Sequence, residues 1–232
     1  MPGSLGVVVA HRGSCPCPLN HLLGGLPRSC ERVSVWIYTD LDLAPVSVTL
    51  GPHLIREVSI EQHPVELWSG PHAAYALHIL RHYRCLSPRL LFVPTDMLRE
   101  RAEDALMMAL GLAGLGEGAT ADICCDPRLH HPRWPGPGAL RACRAVPPGP
   151  AGAGEPEVRL GEWVERHLGA ARARLLGTWE QYPVNDSDAL ATLAAGVRRL
   201  TEREWAALHR RLVARPAEGA CLRLVWAALC LG

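Results

Sequence analysis

The 232-residue chain is 48% hydrophobic and 20% charged, with a mean hydropathy of +0.05; this is enough apolar material for a core and excludes wholesale disorder. Its 24 basic and 23 acidic residues leave a net charge of +1, without the basic footprint of a dedicated nucleic-acid binder. Every basic residue is an arginine, so a Schiff-base lysine, a lysine general base and a Walker-type phosphate lysine are all excluded.

The length is about one and a half times that of a common domain, which predicts one α/β domain over 1–232 with a ragged insertion. Positions 1–10 carry no basic n-region, and their apolar run is too short for a signal peptide or anchor. The apolar stretches 105–115 and 224–231 are core-helix sized and too short to span a bilayer. The expectation is a soluble, cytoplasmic protein with no membrane span in this chain. Nine cysteines in an odd, irregular pattern predict buried small hydrophobes in place of a disulfide framework. Asn185-Asp186-Ser187 matches the glycosylation triplet, which carries little weight without a secretory signal.

In chain order, 5–10 and 33–38 are β-branched and aliphatic runs, separated by a Cys/Pro/Gly-rich turn and a short helical stretch at 19–26. That β-loop-α-β opening builds a parallel sheet. Positions 46–50 and 54–60 predict a hairpin turning at Gly51-Pro52. A helix follows over 71–85, with Pro71 suited to its first position and Ala73, Ala76, Leu77, Leu80 and Tyr83 forming a 3.6-period stripe. The segment 89–93 reads as a buried strand, and Thr95-Asp96 opens one long helix to about Gly114. Between about 124 and 156 the Pro/Gly-rich sequence predicts a surface excursion without regular structure. Helices resume at 160–176, 201–213 and 220–231, and no internal repeat is present.

Alternating strands and helices predict a Rossmann-like layered α/β fold, with a mostly parallel central sheet flanked by helices and a C-terminal helical region. Ligands in such sheets sit at the carboxyl ends of the strands. Three strand ends carry polar residues: His11-Arg12-Gly13-Ser14, Tyr38-Thr39-Asp40 and Pro94-Thr95-Asp96. Together they predict a pocket.

The same segments resemble the uncharacterised family called domain of unknown function 3431. The residues that carry the resemblance are Val7-Val8-Val9-Ala10-His11-Arg12, Val35-Trp36-Ile37-Tyr38-Thr39-Asp40, the helix Ala74-Tyr75-Ala76-Leu77-His78-Ile79-Leu80-Arg81-His82-Tyr83, and Leu91-Phe92-Val93-Pro94. Further on, Ala194-Ala195-Gly196-Val197-Arg198-Arg199-Leu200, Glu204-Trp205 and Leu222-Arg223-Leu224-Val225-Trp226 are compatible with the family's closing pattern. The chain departs from that pattern at Gly70, Pro71, Ala73 and Pro94-Thr95, and in the Gly-Ser-Cys-Pro-Cys turn after the first strand.

The family layout is in turn similar to A-type nucleotide-sugar glycosyltransferases. By that fold-level analogy, a nucleotide sugar would lie against Arg12, Tyr38, Asp40, Thr95 and His78, with His11 and Asp96 as catalytic candidates. A divalent metal, manganese or magnesium, would sit on Asp40 and Asp96 and neutralise the diphosphate. Arginines such as Arg12 would supply the remaining positive charge.

Each candidate also has a plain structural role. Asp96 or Thr95 is placed to cap the helix that follows, and Leu98 occupies the position of an Asp-x-Asp partner. Asp40-Leu41-Asp42 reads first as a turn. His78 and His82 stand four apart, opposite the apolar stripe, which predicts two exposed histidines; Ile79 replaces the glutamate that a zinc-protease helix needs. Cys124, Cys125, His130 and His131 form an alternative zinc cluster, weakened by the adjacent cysteines and the absence of C-x-x-C spacing. Cys15-Pro16-Cys17 reads as a turn, and Trp163, Trp205 and Trp226 as core. Two function classes remain: a glycosyltransferase-like enzyme, and an inactive relative serving as a binding or scaffold module.

Overall fold

The computed structural model describes residues 4–12, 18–40, 57–65, 69–114, 144–145, 158–171, 173 and 188–231. Its centre is a five-stranded sheet ordered β3-β2-β1-β4-β7. Strands β1 (Ser4–His11), β2 (Arg32–Thr39), β3 (Glu57–Pro64) and β4 (Arg89–Pro94) run parallel, and β7 (Leu190–Leu193) is antiparallel to β4. The fold is thus Rossmann-like α/β, as the alternating pattern predicts.

Sheet alternation divides the core in two. Leu5, Val7 and Val9 of β1, Val33, Val35 and Ile37 of β2, and Leu91 and Val93 of β4 face one side. There they meet α1 (Leu19–Gly25), α3 (Thr95–Glu100) and α4 (Ala102–Gly114) through Leu22, Leu98 and Met108. Val8, Ala10, Tyr38, Leu90 and Phe92 face the other side. That side packs α2 (Pro71–His82), α5 (Leu160–Leu168), α6 (Ala194–Val197), α7 (Glu202–Ala214) and α8 (Gly219–Leu231). Trp163, Trp205 and Trp226 are all buried here, as core. Strands β1 and β4 are apolar on both faces because helices cover both, which is why they read as continuous hydrophobic runs.

Several expectations are corrected. The arm expected over 54–60 overlaps β3, which begins at Glu57 and pairs parallel with β2. Its proposed partner 46–50 lies outside the described residues. The long helix from 95 breaks at Arg101, whose φ of −139° and ψ of 43° are non-helical. Arg101 Nε holds the buried Asp104 carboxylate at 2.6 Å, so an acid on the apolar side of the pattern marks a second helix start. Neither Thr95 nor Asp96 caps α3; Pro94 occupies the cap position and no side chain accepts there. β5 (Arg144–Ala145), inside the Pro/Gly-rich excursion, pairs with β6 (Val158–Arg159) just beyond it. The remainder of 124–156 lies outside the described residues.

The C-terminal helices are tied down by polar contacts as well as burial. Thr201 caps α7 in a reciprocal box with Glu204, and Trp205 Nε1 donates to the Val197 carbonyl at 3.0 Å. Glu218, in the 3-10 turn Pro216–Glu218, accepts from Arg211 at 2.5 and 2.7 Å and from Trp163 Nε1 at 2.8 Å.

At Gly6, in the central strand, a Cβ would stand 2.8 Å from Ser87 Cβ and 3.0 Å from Leu90 Cδ2. Overpacking of this kind costs about 1–3 kcal/mol. Gly6→Val is therefore expected to lower the urea midpoint by that equivalent; an unchanged midpoint would show that the turn at Ser87 yields freely.

Candidate functional site

Strand order places the three polar tips on one edge. From β1 the chain moves outward through β2 and β3, then returns to the other side of β1 as β4, so the order reverses between β1 and β4. The helices that follow β1 and β4, α1 and α3–α4, lie on the same face of the sheet, and α1 packs on α4. His11 ends β1 and Thr95 follows β4, and His11 Nδ1 and Thr95 Oγ1 share a hydrogen bond of 2.8 Å that joins the two strand ends. The Thr95 hydroxyl also lies 3.3 Å from the Ala10 carbonyl. Both side chains are buried. Arg12, Asp40 and Asp96 are exposed around the same edge.

The two carboxylates stand on the ends of non-adjacent strands. One strand, β1, separates β2 from β4, so residues at their tips begin about 10 Å apart at ordinary strand spacing. Asp96 stands 3.8 Å from Arg99, and Leu98 is buried in the core. Among the described residues no three His, Cys, Asp or Glu side chains converge as metal ligands. Cys124, Cys125, His130 and His131 lie outside the described residues.

Tyr38 and His78 meet elsewhere. The expected exposure of His78 is wrong: it is fully buried, and its Nδ1 shares a hydrogen bond of 3.1 Å with the Tyr38 hydroxyl. His82 is half-buried, with its ring 4.6 Å from that of His78. Helix α2 has cover on more than one side, from the sheet, α7 and α8, so burial extends beyond the one apolar stripe. Trp36 lies 4.7 Å from the His78 ring, and His63 stacks on Tyr38 at 5.1 Å. Burial pushes His78 down to about 2, helped by His82, His63 and Arg81, and also lowers His63 and His82. These imidazoles are neutral packing groups at pH 7.

A third group, at the N-terminal end of α2, was not visible in the sequence. Ser69, His72, Tyr75 and Trp226 are buried, and the rings of His72, Tyr75 and Trp226 stand 6.0–6.1 Å from one another. Asp188 Oδ1 lies 3.8 Å from His72 Nε2 and 3.9 Å from Arg223 Nη1. Burial lowers His72 to about 4, against the opposing pull of Asp188. Among the described residues, Ser69 Oγ, Tyr75 Oη, Arg223 Nε and Trp226 Nε1 are buried without a hydrogen-bond partner. Only His72, directly after a helix-starting proline, gave a local signal; Asp188 and Arg223 reach it from distant parts of the chain.

No family model matches the chain, and no curated protein matches it. No helix among the described residues is long and apolar enough to cross a membrane.

Proposed function

We propose that the protein is glycosyltransferase-like and takes a nucleotide sugar at the carboxyl ends of β1, β2 and β4. The observation that carries this reading is the His11–Thr95 bond, which joins the carboxyl ends of β1 and β4 where the strand order reverses, beside the exposed Arg12, Asp40 and Asp96. Transfer from such a donor breaks the bond between the anomeric carbon and the diphosphate oxygen and forms one to an acceptor oxygen. Negative charge then grows on the departing diphosphate. Arg12, exposed just after β1, would meet it. His11, buried beneath, holds Thr95 and so fixes the spacing of the two strand ends.

A divalent metal belongs to the same reading, held by the Asp40 and Asp96 carboxylates with water completing its shell. The carboxylates sit on strand ends separated by β1, and Asp96 already faces Arg99. That observation favours the second reading, a relative that binds without catalysing transfer.

Thermal unfolding against a panel of nucleotide sugars, with and without manganese, tests both. A ligand at a hundred times its dissociation constant adds about 2.7 kcal/mol. For a chain of this size that raises Tm by about 5–10 °C. Stabilisation by one nucleotide, lost in Arg12→Ala, supports a donor site; release of free sugar or nucleotide then separates transfer from binding. No rise with any nucleotide sugar rules the donor site out.

A further inference from the structure

We propose that the buried donors at the N-terminal end of α2 form an oxyanion site for a phosphoryl group, built from Ser69, His72, Tyr75, Arg223 and Trp226 and gated by Asp188. It goes beyond the nucleotide-sugar reading and does not depend on it, because the donors belong to α2, the residue before its cap and α8, and none is among the residues named at the ends of β1, β2 and β4.

The first ground is an arginine with an unused edge. Arg211 shows what a satisfied guanidinium looks like in this fold: its Nε and Nη2 both donate to Glu218, at 2.7 and 2.5 Å. Arg223 has only the loose approach of Asp188 to Nη1 at 3.9 Å, and its Nε is buried without a partner among the described residues. A planar guanidinium with Nε free presents the edge that binds two oxygens of one anion.

The second ground is the company it keeps. Tyr75 Oη, Ser69 Oγ and Trp226 Nε1 are likewise buried without partners among the described residues, and each can donate. A buried donor left unmade costs about 1–3 kcal/mol, so several together call for an acceptor-rich group. Burial, reinforced by Asp188, raises Tyr75 well above its ordinary value, which keeps its hydroxyl a donor. His72 is neutral at pH 7 and adds no charge.

The third ground is the helix end itself. Helix α2 starts with Gly70 as N-cap and Pro71 inside it, and no side chain caps its first-turn N–H groups. Uncapped N–H groups at a helix start attract anions. The first residue of α8, Gly219, lies beside His72, where an added Cβ would be 3.6 Å from Nδ1, and Arg223 follows one turn later.

The donors come from three places in the chain: the start of α2, its second turn and α8. Four donors unpartnered among the described residues suit the three terminal oxygens of a phosphoryl group better than the two of a carboxylate. The site packs against the middle of β4, where Phe92 stands 5.2 Å from the Tyr75 ring and 5.6 Å from that of Trp226. Asp188, the only carboxylate described in the group, occupies the guanidinium loosely and would have to give way.

The test uses the full chain with sodium phosphate, pyrophosphate and malonate, each against sodium chloride at matched ionic strength. Tm and tryptophan fluorescence are the readouts. Phosphate or pyrophosphate is expected to stabilise saturably, with malonate at least tenfold weaker. Arg223→Met is expected to lose at least tenfold in affinity, while Arg203→Met, on the exposed face of α7, is unchanged. Asp188→Asn is expected to bind several-fold more tightly, a gain that a misfolded variant cannot imitate. Absence of saturable stabilisation, preference for malonate, or equal or weaker binding by Asp188→Asn would overturn the proposal. Because the probes carry no nucleoside or sugar, their failure leaves the donor-site reading untouched, and the reverse also holds.

Discussion

Glu218→Ala is expected to lower the free energy of unfolding by about 3 kcal/mol, at the low end of the range for breaking a buried ion pair. Glu218 is buried, and its carboxylate gathers Arg211, Trp163 Nε1 and the more distant His167 and Arg215. Three segments therefore converge on one side chain: α5 through Trp163, α7 through Arg211, and the 3-10 turn leading into α8. Removing the acid leaves the Arg211 guanidinium and the Trp163 N–H without acceptors. Arg211 keeps a quarter of its side chain in water, which holds the cost below that of a fully enclosed charge. Glu218→Gln keeps the shape and one acceptor, and should lose about half as much. Urea unfolding followed by tryptophan fluorescence reads both; a loss below about 1 kcal/mol for the alanine variant would mean that burial alone joins these helices. Burial pushes the Glu218 carboxyl up, but hydrogen bonds from Arg211 and Trp163 outweigh it and leave it lowered. Its stabilisation is present above the unfolded carboxylate range and is lost as pH falls through the folded value.

Acid should weaken the protein well before its carboxylates titrate. His72 is lowered to about 4 and His78 to about 2, in both cases first by burial. In the unfolded chain both regain an ordinary value near 6.5. Between pH 6.5 and the folded values the unfolded state binds more protons, so stability falls as pH drops and is flat above about 6.5. Each group contributes up to about 1.4 kcal/mol per pH unit, and the two together about 3–4 kcal/mol between pH 7 and pH 5. His63, His82, His167 and His209 are lowered as well and act in the same direction, more weakly because more water reaches them. Equilibrium unfolding at pH 7, 6 and 5 checks this. His78→Gln, neutral throughout, should halve the loss; a stability flat from pH 7 to 5 would refute the neutral-imidazole account.

Strands β1, β2 and β4 and the start of α2 were legible because their signals are local. Val7-Val8-Val9 and Leu90-Leu91-Phe92-Val93 are apolar on both faces, and Pro71 stands at a helix start. Strand β7, Leu190-Ala191-Thr192-Leu193, was not found, since four residues with a single β-branched member give no periodicity. His78 was misplaced because a helical stripe assumes one covered side, and nothing near position 78 announces α7 packing on the other. The same limit applies to the site. His11 and Thr95 were legible as strand tips, but their bond spans 84 positions, and the group at Ser69 and His72 is completed only by Asp188 and Arg223.

The late return of the chain to the sheet also governs how the protein is made. Strand β4 finds β1 already synthesised, but its other neighbour, β7, lies beyond position 189. At ordinary translation speeds that interval lasts about 5–20 s. Throughout it, Leu90, Leu91, Phe92 and Val93 border an unsatisfied row of backbone donors and acceptors. The nascent polypeptide is thus most prone to self-association between completion of β4 and emergence of β7, and chaperone demand should peak in that window.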